Sequence, residues 1–205
     1  MNEWADVVAA IALGVGPICA AGLALAPSRR LAIVLLLGVF IATGTAIALG
    51  QQLRIGVGLI ATGALTCGIL AIGFERALWP RPSEAGGPIP AGRAFRAATV
   101  LLVAAAAWGI AAPQAASIAA LPAPRLTAAV MMVAMGMLQL GLSQEQGAAA
   151  VGLLTALVGF EMFYAALEPS LALRAVLAGI MLGIALISSV MLEEAAVATG
   201  DRRAG

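Results

Sequence analysis

One acidic residue stands where acids are rarely tolerated. Glu161 lies within the apolar run Gly147 to Leu167, which at 1.5 Å per residue puts it about 21 Å into a hydrocarbon layer roughly 30 Å thick. Placing a carboxylate at such depth costs on the order of 3 kcal/mol on the mildest scale, so acids of this kind usually face the interior of a bundle and mark proton or ion paths. Desolvation favours the neutral form of a carboxyl group, and a group that exchanges protons near neutral pH is what a relay needs. The competing reading is structural: Glu161 hydrogen-bonds a neighbouring helix or reaches back toward the surface near Glu168. No lysine and no second mid-span carboxyl accompanies it, so a complete relay borrows groups from elsewhere.

Weaker polar candidates sit in the same part of the chain. Gln139, Thr155, Ser188 and Ser189 can hydrogen-bond across helices or line a hydrated path, with helix packing the favoured role for each. Thr43, Thr45, Thr62 and Thr66 are expected to bond carbonyls of their own helices. Met131, Met132, Met135 and Met137 cluster without a histidine or cysteine beside them, so they read as packing rather than as a copper path. Cys19 and Cys67 read as small apolar residues, and neither has a neighbour with which to build a metal or haem site. No nucleotide-binding loop or catalytic triad is present in the sequence, so the chain is not expected to catalyse a reaction alone, and no cofactor is expected.

The elements that position these residues are membrane helices. Hydrophobic residues make up 62% of the chain and charged residues 10%, with a mean hydropathy of +1.06, whereas soluble domains carry about 25% charged residues. The 205 residues read as an all-α, polytopic membrane bundle of about seven transmembrane helices. The apolar runs are Ala5 to Ala26, Leu31 to Leu49, Ile55 to Phe74, Ala97 to Ala119, Leu126 to Leu142, Gly147 to Leu167 and Leu171 to Leu192. Pro27, Pro122, Pro124 and Pro169 mark breaks between runs, while Pro17 and Pro113 fall inside them. Residues 75–96, rich in proline, glycine and arginine, form a long solvated connection. Glu168 to Ser170 leave so little chain that the last two helices are expected to form a tight antiparallel hairpin, with Ser170 as an N-cap. The acidic start, Glu3 and Asp6 without a basic residue, suits a retained first helix rather than a cleaved signal peptide.

Every basic residue is arginine. Arg29, Arg30, Arg76, Arg81, Arg93, Arg96, Arg202 and Arg203 fall on one side, against Arg54, Arg125 and Arg174 at the opposite ends of the spans. Basic residues of short loops are retained in the cytoplasm, so the N-terminus is expected outside and the C-terminus in the cytoplasm of a cell inner (cytoplasmic) membrane. A faint echo between Leu31 to Leu70 and Ala149 to Leu186 hints at two copies running in the same direction. Gly179 and Gly183 form one GxxxG, read as internal helix packing.

The stretch Gly152 to Leu167, GLLTALVGFEMFYAAL, resembles the second helix of the complex I chain 4L family, known in bacteria as the K chain. Related three-helix units occur in Mrp-type sodium/proton antiporters, as their C component, and in membrane-bound hydrogenases, as component E. The resemblance spans about Arg125 to Leu192. It implies a three-helix unit, residues 125–192, which the hydropathy and arginine pattern set between a four-helix N-terminal region, residues 1–124, with a cytoplasmic loop at 75–96, and a cytoplasmic tail, residues 193–205. It also implies a membrane-arm subunit of a multi-subunit, NADH:quinone oxidoreductase-like, hydrogenase-like or Mrp-like assembly, working beside an antiporter-like partner, with Glu161 as a proton-relay carboxyl. Ala165 stands at the family's asparagine position, and Ala178 to Leu186 lacks the family's second acid. The alternative is a subunit that only packs and seals a larger membrane complex. A free-standing transporter is disfavoured because the spans show no paired charges.

Overall fold

The computed structural model describes residues 3–26, 28–50, 53–76, 93–114, 122–143, 145–167 and 170–204. All fall in or beside seven helices: α1 (Glu3–Leu25), α2 (Arg29–Gly50), α3 (Leu53–Arg76), α4 (Arg93–Gln114), α5 (Ala123–Leu142), α6 (Gln146–Leu167) and α7 (Leu171–Ala204). Each is long and apolar enough to cross a membrane, so the chain is a multi-pass membrane protein. Helix α1 runs on through Pro17, and Pro113 lies one residue from the end of α4. Ser28 caps α2 with its hydroxyl on the Leu31 amide, 3.4 Å away, and Pro124 occupies the first turn of α5, where a missing N–H costs nothing. Most of the connection expected at residues 75–96, and Glu168 and Pro169 of the last hairpin, lie outside the described residues.

Helix α4 is described as far as Gln114, and the rest of the expected run, to Ala119, lies outside the described residues. One helix end differs from the sequence reading. Helix α7 continues to Ala204, so the tail expected from residue 193 extends the last span as helix. Alanine-rich sequence after Glu194 favours that continuation, and arginine, present at positions 202 and 203, is a residue type that suits a helix C-terminus. At about 1.5 Å per residue α7 is about 50 Å long, well beyond a bilayer's hydrocarbon thickness.

Glycine sets how closely the helices approach. A Cβ on Gly44 would lie 2.5 Å from Ile60 and 2.8 Å from the Gly56 carbonyl, which seats α2 on α3. A Cβ on Gly136 would lie 2.5 Å from the Ala156 nitrogen and 2.6 Å from the Gly152 oxygen, which seats α5 on α6, and Gly159 meets the backbone of Ala129 and Val133 farther along the same seam. Without a hydrophobic drive between helices in lipid, such backbone contact supplies the packing. Gly179 and Gly183 do not contribute. Nothing lies within 4 Å of a Cβ at either, so the GxxxG expected to pack internally sits on an open face of α7 instead.

The rest of the core is continuous. Leu36, Val39 and Phe40 of α2, Leu70 of α3, Met132 and Met135 of α5, Leu154 and Val158 of α6 and Met181 of α7 belong to one buried cluster, which joins the N-terminal helices to the three-helix unit. Cys67 lies in it and Cys19 is half-buried at its edge. The two helices joined by residues 168–170 are not each other's main neighbours: α7 packs chiefly on α3, and α6 chiefly on α5. Helices α1 and α5, α2 and α6, and α3 and α7 touch in pairs.

Gly136→Ala is expected to destabilise the protein by about 1–3 kcal/mol, because backbone atoms cannot yield to the added methyl. Gly179→Ala, which meets nothing, is expected to leave stability unchanged or slightly higher. Thermal unfolding of the two variants in the same detergent checks the contrast.

Candidate functional site: a buried glutamate and arginine

Glu161 is 6% exposed, on the last two turns of α6. It lies about 9 Å along the helix from Leu167, and α6 is the most enclosed of the seven spans. The bundle thus takes the carboxyl out of lipid, as the cost of an acid in hydrocarbon demands.

The surprise is its companion. Arg174, counted in the sequence reading as a charge at the end of a span, is 8% exposed and close enough to act electrostatically on Glu161. It is the fourth residue of α7. Its Nη2 donates to the Ala165 carbonyl at 3.3 Å, one of the orphan carbonyls at the C-terminal end of α6, where a positive charge also suits the helix dipole. Nε and Nη1 of Arg174 are buried and find no acceptor among the described residues. The expectation that the spans hold no paired charges is therefore corrected in part: a buried acid of α6 and a buried base of α7 share one cavity and influence each other electrostatically, without a direct ion-pair contact.

Both line a cavity of about 200 Å³ shared by three helices. Arg54, Ile55, Gly58, Leu59 and Thr62 come from α3, Glu161 from α6, and Leu171, Arg174, Ala175 and Ala178 from α7. Helices α3 and α7 begin at this end of the bundle and α6 ends there, so two N-terminal dipoles point toward the cavity. Thr62 turns its hydroxyl onto its own helix, donating to the Gly58 carbonyl at 2.9 Å.

Neither a family model, nor a curated protein, nor a solved structure matches this chain.

The other polar residues singled out from the sequence do not line this cavity. Gln139 is buried on α5 against Gly152 of α6, with its Oε1 lacking a partner among the described residues. Thr155, fully buried, donates to the Val151 carbonyl of its own helix at 2.8 Å. Ser188 is buried, and Ser189 fills the space beside Gly73, where α7 crosses α3. Two of the four threonines expected to serve their own helices do otherwise. Thr43 donates to Met132 Sδ at 3.5 Å, joining α2 to α5, and the buried Thr66 hydroxyl has no partner among the described residues.

Two further arginines tie helix ends together. Arg125 of α5 donates to the Ala46 carbonyl of α2 at 3.4 Å. At the opposite end of the bundle, Arg29 of α2 meets Glu145 at 3.7 Å and stands over the Phe74 ring, 5.4 Å from its centre. The sequence offered a hint for Arg174 alone among these: it lies in the first turn of the apolar run directly after the helix carrying Glu161.

Arg174→Ala is expected to lower stability by about 2 kcal/mol, since it removes a charged hydrogen bond and leaves Glu161 without its counter-charge. Arg54→Ala, an exposed position, is expected to stay within about 0.5 kcal/mol of the parent. Unfolding midpoints in detergent distinguish the two.

Proposed function

We propose that the chain is a membrane-arm subunit of a complex I-like assembly, of NADH:quinone oxidoreductase, hydrogenase or Mrp antiporter type, and that Glu161 takes part in moving protons or cations. The observation that carries this reading is a carboxyl enclosed in a membrane bundle, opposite a buried arginine and on the wall of a cavity. A carboxyl with both a counter-charge and space beside it can exist charged or neutral, and switching between those forms is the elementary step of a relay. The resemblance of Gly152 to Leu167 to the chain 4L family supports the same role for the same residue. In that family the third helix often supplies a second acid; here the third helix of the unit is α7, and its charge at the site is Arg174.

Redox chemistry belongs in this reading to other subunits, and an antiporter-like subunit is the partner that would continue the path. The distribution of arginine supports an N-terminus outside and a C-terminus in the cytoplasm of the inner membrane, with the Glu161 cavity toward the outer side.

A second reading has its own observation. Arg174 holds the end of α6 through Ala165 while facing Glu161, so the pair also suits a fixed clamp in a subunit that packs and seals the complex without carrying protons.

Glu161→Gln separates the two in the purified assembly reconstituted in vesicles. The relay reading expects proton pumping to fall about tenfold or more, with subunit assembly unchanged and Glu161→Asp retaining part of the activity. Full pumping by Glu161→Gln leaves the clamp.

A further inference from the structure

The cavity between α3, α6 and α7 carries two arginines against one glutamate. Among the described residues Arg174 engages the protein through Nη2 alone, and its Nε and Nη1 are buried without an acceptor there. A guanidinium so enclosed lacks the hydrogen bonds that normally offset its loss of water, and its planar fork matches the oxygens of a phosphate.

We propose that this cavity binds the phosphate of an anionic phospholipid, which enters from the bilayer between α3 and α7. Arg174 supplies the enclosed donors at the back. Arg54, exposed at the second position of α3, supplies the second charge at the rim. The N-terminal ends of α3 and α7 add partial positive charge from two directions. The volume of about 200 Å³ admits one headgroup and falls below the usual range for a drug-sized ligand, about 300–1,000 Å³.

The surroundings select a lipid as the source of the phosphate. Gly58, Leu171 and Ala175 at the cavity's edge are exposed, and so are the apolar Leu53 and Val57 of α3 and Val176 of α7, which gives acyl chains a surface beside the headgroup. Arg54 and Arg174 both fall in the first turn of their helices, at the level where phosphates border the hydrocarbon layer. Glu161 faces the same space with the opposite charge, so it opposes the anion and limits how tightly it is held. This inference stands apart from proton translocation, since it rests on the two arginines and the cavity.

The test is native mass spectrometry of the full chain released from vesicles of mixed phosphatidylcholine and phosphatidylglycerol. Phosphatidylglycerol is expected to be retained about tenfold over phosphatidylcholine, a difference that one charge-assisted contact can supply. Arg54→Gln, at an exposed position that need not disturb folding, is expected to remove most of that preference, and Glu161→Gln to strengthen it. Added inorganic phosphate is expected to leave the lipid bound. Equal retention of the two lipids, indifference to Arg54→Gln, or full displacement of the lipid by inorganic phosphate would each overturn the proposal.

Discussion

A carboxyl group and a guanidinium enclosed together in an apolar bundle constrain this protein more than any other interaction. Enclosing either charge without compensation is costly. Glu161 is kept from lipid by the most enclosed helix of the seven, and Arg174 is brought to it because α7 leans on α3 rather than lying flat along α6. Those placements depend in turn on glycine. Gly136, Gly152 and Gly159 let α5 and α6 meet backbone to backbone, and Gly44 and Gly56 do the same for α2 and α3. The site is a consequence of how closely two helix pairs can approach.

The same geometry explains the cavity. Arg174 spends one nitrogen on the Ala165 carbonyl of α6, which ties the start of α7 to the end of α6. Helix α7 packs chiefly on α3, and the cavity lies among α3, α6 and α7 with Arg54 in its lining. Charge and space arise from one packing compromise. The pair alone suits a clamp between helices; the pair beside a cavity also suits a group that changes its charge or binds an ion. Which of these dominates depends on how strongly the two charges are coupled.

Much of this was legible in the sequence, and the reason is the cost of polarity in oil. Seven apolar runs separated by proline and arginine became seven helices, with most ends displaced by only one to four residues. Glu161 stood out because its position in its own run measures its depth directly. Arg174 did not, since an arginine in the first turn of a span looks like one that reaches out to the surface; its burial depends on how α7 packs beside α3 and α6, which no spacing within one helix records. The glycines misled for the same reason. Gly179 and Gly183 have the familiar spacing but no neighbour, whereas Gly44 and Gly136 lie opposite other backbones that only the fold brings near. The extension of α7 through residues 193–204 was hidden because hydropathy marks where a helix leaves the membrane rather than where it ends.

A double-mutant cycle on Glu161→Gln and Arg174→Gln, read by reversible unfolding of the chain in detergent, measures the coupling directly. If the two charges stabilise one another inside the bundle, the combined variant should lose less stability than the sum of the single losses, by about 1 kcal/mol or more. Losses that simply add would contradict the account, because the glutamate and the arginine would then occupy the interior independently.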